Sequence, residues 1–233
     1  MPGGSPWCVA RPTLQAVPQT PLWHVYQRGY DSLSPNPDSK ARMALVGTHS
    51  MFYAADTVAG ALWETVLRSV AVGPDLKAHV LPMHLRGYDI VQIQAQRPDL
   101  PLLALGQPGL RALYPDPDGA AAQAVATLLH QPDHGVTHPE AVQLHAELQA
   151  VGMAEMPVLS WPSRMHHAST AYLAYAPPMD SSWWQVVGTV TQLDDPATGH
   201  PLVDAALASS GFTWATPLAT TATLPRPMPG MGP

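Results

Sequence analysis

Apolar positions along this chain come in short runs instead of long periodic stretches. Leu22-Trp-His-Val-Tyr26 joins aromatic and β-branched side chains as a first strand does, and the turn-rich Asp31-Ser-Leu-Ser-Pro-Asn-Pro-Asp38 follows it. Met51-Phe-Tyr-Ala54 predicts a second short strand after Gly47. The Asp56 carboxylate can accept the free amides of a first helical turn, which predicts a helix from Thr57 to about Val70. On one face of it lie Val58, Leu62, Thr65 and Val66, and on another Trp63, Leu67 and Val70, so both sides are expected to be buried.

Two more helices are predicted, one from Gly119 to about His130 capped by Asp118, and one from Thr137 to about Ala150. In the second, Thr137 and Glu140 have capping-box spacing and Pro139 lies in the first turn. Strands are expected at Lys77 to Met83, Ala171 to Tyr175 and Trp184 to Leu193. Strands and helices intermix without a regular βαβ rhythm, which predicts an α+β fold on a small, mostly antiparallel or split sheet. Proline-rich ends, 1–21 and 219–233, flank an expected folded body over 22–218, and no internal repeat marks a second domain.

Composition narrows the chemistry. The chain has 233 residues, 46% hydrophobic and 12% charged, with 27 prolines, which fits one folded domain of short elements. A net charge of -6 and the lack of any Lys/Arg cluster argue against nucleic acid as a direct partner. No segment has the apolar length of a membrane span, and the single Cys8 cannot form an internal disulfide, so a cytoplasmic protein is expected. His130, His134, His138 and His145 invite a metal hypothesis, but Pro132, Gly135 and Pro139 keep them off one helical face, and no metal is expected. There is no Gly-x-Ser-x-Gly elbow and no glycine-rich phosphate loop.

The informative segment runs from Lys40 to Arg68. Arg42 precedes the strand of Phe52-Tyr53, and Ala61-Leu62-Trp63-Glu64 follows on the helix. Downstream, Val158-Leu-Ser-Trp-Pro-Ser-Arg164 places a Pro-Ser-Arg after an apolar stretch, and the Ala-rich helix between carries Gln123. In this order the motifs resemble those of the RES domain, named for Arg, Glu and Ser, over about Leu22 to Tyr175. One departure is that the family's strand arginine is replaced in Leu22-Trp23-His24, with Arg28 four residues on as another source of charge.

The resemblance implies an ADP-ribosyltransferase-like split antiparallel sheet with surrounding helices. It also implies a toxin that degrades NAD+ by cleaving the nicotinamide–ribose bond, as a glycohydrolase or phosphorylase. NAD+ is then substrate, with no further cofactor. Glu64 would stabilise the ribose cation, Tyr53 would stack on nicotinamide with its hydroxyl orienting the carboxamide, and Arg42 would meet the pyrophosphate. His24 or Arg28 would hold the ribose or the adenosine side, and Ser163 with Arg164 would close the far side. Water or inorganic phosphate is the expected acceptor, and a cognate antitoxin the expected protein partner. Modification of a macromolecule, or an inactive binding or immunity module, are the alternatives. Apart from the resemblance, Gly60, Ala61, Trp63 and Leu67 give the Glu64 carboxylate an apolar setting, more typical of a site than of a solvated face.

Overall fold

Prolines and glycines cut the chain into short pieces, and the computed structural model, which describes residues 12–215, shows how they assemble. Among these residues the order begins β1 (Gln15–Ala16), β2 (Leu22–Gln27), β3 (Ser50–Ala55), α1 (Val58–Glu64), β4 (Lys77–Ala78), α2 (Pro82–Leu85) and β5 (Tyr88–Ala95). Next come β6 (Pro101–Ala104), α3 (Gly109–Leu113), α4 (Ala120–Leu129), α5 (Thr137–Ala150), β7 (Val158–Pro162) and β8 (Thr170–Ala176). The order ends with β9 (Trp184–Val186), β10 (Thr191–Gln192), α6 (Gly199–Ser209) and β11 (Thr213–Trp214).

One sheet organises the molecule in the order β1-β6-β7-β8-β3-β2-β5-β10, with β9 also on the outer edge of β5. Its ladders are antiparallel except for β6 with β7. A second, parallel pair joins β11 to β4. Alternation along β3 divides the core: Met51 and Tyr53 point to the side of α4 and α5, and Phe52 and Ala54 to the side of Trp183 and Trp184. A third cluster packs α1 and α6 together around Leu62, Trp63, Leu67 and Leu207.

The sheet is split at its centre. β2 pairs with β5 along its whole length, from Leu22↔Ile93 to Gln27↔Tyr88, but with β3 it shares only Trp23↔Ala55. Where the two strands part, Asn36 from the preceding loop exchanges both backbone hydrogen bonds with Met51 (2.8 and 3.0 Å). The exposed strand groups are thus partly covered from within the chain.

Several expectations need correction. The first helix stops at Glu64 instead of Val70, because the Thr65 hydroxyl donates back to the Ala61 carbonyl (2.6 Å) and residues 65–69 continue as turns. Thr57, not Asp56, caps it, accepting from the Gly60 amide (2.9 Å), while Asp56 accepts from the Thr170 amide (2.9 Å). Before α4 the carboxylate that reaches an amide is that of Asp116, to Ala121, and not Asp118, since Gly119 takes the cap position at φ 69°. α5 has the expected bounds without a capping box: the Thr137 hydroxyl donates to the His134 carbonyl (2.9 Å). Lys77 to Met83 is a two-residue strand followed by α2, and Trp184 to Leu193 is broken into β9 and β10. Residues 1–11, including Cys8, and the tail 219–233 lie outside the described residues. In the described part of the expected loose segment, Gln15 and Ala16 pair with β6 and Val17 is buried, so packed structure begins before Leu22.

Candidate active site

The split opens into a cavity of about 650 Å³, bordered by β2, β3, the loop 30–42, the end of α1 and the turn that follows it. That size suits a small-molecule ligand. Glu64 stands on its wall at the last residue of α1. One carboxylate oxygen, Oε1, accepts from the Ser163 hydroxyl (2.5 Å) and from the Met165 amide (3.4 Å). Ser163 is fully buried in a tight turn, where its amide donates to the Ser169 carbonyl (2.8 Å) and its Oγ accepts from the His166 amide (3.0 Å). The structure thereby joins two residues that the sequence singles out 99 positions apart. Fixing Oε1 leaves Oε2 for a ligand, and a held carboxylate can polarise a hydroxyl or stabilise a neighbouring cation.

Arg42 is positioned by its backbone. Four successive carbonyls in its segment each accept from a side chain: Lys40 from His134 Nδ1 (3.1 Å), Ala41 from His138 Nε2 (3.2 Å), Arg42 from the Tyr53 hydroxyl and Met43 from the Tyr175 hydroxyl (2.7 Å). Met43, fully buried, adopts φ 59°, a left-handed conformation that a side chain tolerates only when its surroundings impose it. The Arg42 guanidinium donates to the Gln131 carbonyl (2.7 Å), and burial lowers its pKa against the raising influence of Glu64. Tyr53 lines the cavity, but its hydroxyl is committed to Arg42, so the ring face and not the phenol is what it offers a ligand. Burial pushes that phenol well above its ordinary value.

Two further residues of the cavity wall escape the sequence reading. Arg68, four residues beyond Glu64, does not pair with it along the helix, because the helix has already ended; its Nη2 donates instead to His134 Nε2. His134, considered in the sequence only as a metal ligand and set aside, is held neutral by burial and by Arg68, with a pKa lowered to about 4. The only advance signals are the helical offset from Glu64 and the His-Gly pair in the loop before α5.

The remaining candidates fall into different places. His24 is buried, and its Nδ1 donates to the Tyr53 carbonyl (2.5 Å) across the split, replacing a ladder bond that the parting strands cannot make. Its ring stacks on Phe52 (4.3 Å between centroids), and Nε2 has no hydrogen-bond partner among the described residues. Desolvation lowers its pKa to about 4. Strand alternation puts this ring on the face opposite Tyr53, so His24 borders the cavity as a structural bridge. Arg28 is not on the cavity wall: its guanidinium donates to Asp89 (2.8 Å) and Asp194 (2.6 Å). The charge of Arg28, the alternative to His24 for holding a ligand, is met in the structure by those two carboxylates. Arg164 touches the Met165 sulfur (3.5 Å) and lies outside the cavity lining, although its charge helps to lower the Arg42 pKa. Among the described residues no group of three His, Cys, Asp or Glu gathers as metal ligands, and no helix is long and apolar enough to cross a membrane.

The site can thus be stated as one fixed carboxylate, an aromatic face and two guanidiniums around a cavity. Comparison with known proteins bears on the fold and the family. No curated protein matches the chain in sequence. In fold it is similar to a chain of the crystal structure of the M. tuberculosis MbcT–MbcA toxin–antitoxin complex, at a TM-score of 0.54 and 15% identity, over 82% of this chain and 90% of that one. The family model of the RES domain matches residues 18–185, which include Glu64, Ser163 and the Arg42 segment, and the chain belongs to the RES domain family.

Proposed function

We propose that this protein is a toxin with an ADP-ribosyltransferase-like fold that consumes NAD+ by cleaving the bond between nicotinamide and ribose. The observation that carries this reading is Glu64, whose Oε1 is fixed by Ser163 and Met165 while its other oxygen remains for the cavity. The scissile bond breaks with oxocarbenium character, so a preorganised carboxylate beside the ribose favours the transition state over the ground state. Glu64 Oε2 accepts from the ribose 2′-hydroxyl as positive charge develops on the ring. Nicotinamide leaves with the bonding electron pair as a neutral pyridine. Water, losing a proton, or inorganic phosphate then bonds to the ribose carbon, giving ADP-ribose or its phosphate ester.

Tyr53 supplies the aromatic face for the departing ring, and Arg42 a guanidinium for the diphosphate. Ser163 acts through Glu64 and not on the ligand. A toxin of this kind depletes cellular NAD+ in the cytoplasm and needs restraint, so a cognate antitoxin belongs to the proposal. Support for it is the similarity in fold to a chain of a toxin–antitoxin complex.

Purified protein incubated with NAD+ should release nicotinamide, measured by chromatography, at a rate unaffected by chelator. Glu64→Gln keeps the size but removes the charge, and should lower the rate by two orders of magnitude, about 3 kcal/mol. A folded Glu64→Gln protein with a near-normal rate overturns the assignment.

A further inference from the structure

We propose that Arg68 is a second anchor for the diphosphate of the substrate and that His134 is the residue that positions it. The inference rests on the reading of NAD+ as substrate, and its observations are geometric. Of all the residues lining the cavity, Arg42 and Arg68 are the two permanent cations. Their guanidiniums are held by a single loop, through the Gln131 carbonyl and the His134 ring respectively. Among the described residues neither guanidinium has another hydrogen-bond partner, so each keeps N–H groups for the cavity.

The tautomer follows from the partners. A carbonyl oxygen accepts, so the contact to Lys40 makes His134 Nδ1 the protonated nitrogen and leaves Nε2 with the lone pair that receives the Arg68 N–H. Orientation of a flexible guanidinium by a neutral acceptor reduces the freedom lost on binding without neutralising the charge, which a carboxylate partner would do. That distinguishes Arg68 from Arg28, whose charge is met by Asp89 and Asp194. It also assigns a cation to the cavity where β2 presents the neutral, buried His24. A diphosphate carries two negative charges, and two forks on one wall match it better than one.

The test is titration calorimetry with ADP-ribose, which carries the diphosphate and needs no turnover, beside kinetics with NAD+ and with nicotinamide riboside, which lacks phosphate. Arg68→Ala should weaken ADP-ribose binding at least tenfold, raise KM for NAD+ by a similar factor with kcat within about twofold, and leave kcat/KM for the riboside unchanged. His134→Ala should reproduce part of the KM effect, and His134→Gln, whose amide oxygen can accept from Arg68, should restore it. Should Arg68→Ala fail to fold, Arg68→Lys provides the same readout, because it keeps the charge but not the fork.

Unchanged affinity for ADP-ribose overturns the anchor, as does an equal loss of kcat/KM for NAD+ and the riboside. The two readings separate cleanly. A wild-type protein that binds ADP-ribose through Arg68 yet releases no nicotinamide overturns the proposed reaction and leaves the anchor standing.

Discussion

A buried imidazole that bridges two parting strands is a structural device with a pH signature. His24 titrates at about 4 in the folded protein against 6.5 for an unperturbed side chain, with desolvation the main cause. Below 6.5 the unfolded chain takes up a proton that the folded chain refuses, so this residue's contribution to stability is present above 6.5 and is lost as pH falls toward 4. The full difference is about 3 kcal/mol by linkage. Urea unfolding at about pH 7.5 and about pH 4.5 checks it, with carboxylate effects common to all variants. His24→Gln, whose amide can still donate to the Tyr53 carbonyl, should lose much less stability over that interval than wild type. Equal losses would remove His24 from the account. A rate profile controlled by His24 near neutral pH is not expected, because the ring is already neutral there.

At the scale of elements, the site depends on how closely α1 approaches the turn at 163–169. Gly60 permits that approach: a Cβ there would lie 2.6 Å from Ser169 Cβ and 3.1 Å from Thr57 Oγ1. Ser169 in turn bonds the Thr57 hydroxyl and accepts the Ser163 amide through its carbonyl, so displacing it moves the partner of Glu64. Gly60→Ala should destabilise by about 1–3 kcal/mol through overpacking. It should also cut nicotinamide release at least tenfold, since a small displacement of a catalytic group is enough. A Gly60→Ala protein with wild-type melting temperature and rate would show that the approach is not critical. The alanine-rich α4 and the bounds of α5 are legible in the sequence, because their signals are local. β5 is not, since Asp89, Ile90 and Val91 are buried in succession and break the alternation that marks a half-exposed strand. The end of α1 is also hidden, because it turns on one hydroxyl, that of Thr65, bonding back to Ala61.

Over the whole molecule, the part of the candidate site legible in the sequence is the ordered set Arg42, Tyr53, Glu64 and Ser163, in which the structure joins Tyr53 to Arg42 and Ser163 to Glu64. The illegible part is held by contacts that no spacing predicts, such as Arg68 with His134, 66 positions away, and Arg42 with Gln131, 89 positions away. Those contacts set two guanidiniums in a cavity that Asp31, Asp38 and Glu64 also line, within a chain whose formal charge is -6. The two scales make opposite demands on an anionic substrate. The distant field of the chain repels it weakly, while Arg42 and Arg68 attract it at short range. Added salt screens separated, solvent-exposed charges far more than partly buried ones in contact, so it relieves the repulsion and largely spares the attraction. The proposed NAD+ cleavage should therefore show a kcat/KM that stays flat or rises by less than about twofold as ionic strength goes from about 20 to about 200 mM. A steep fall over that range would mean that long-range attraction guides the substrate, and that the positive field extends well beyond the two guanidiniums.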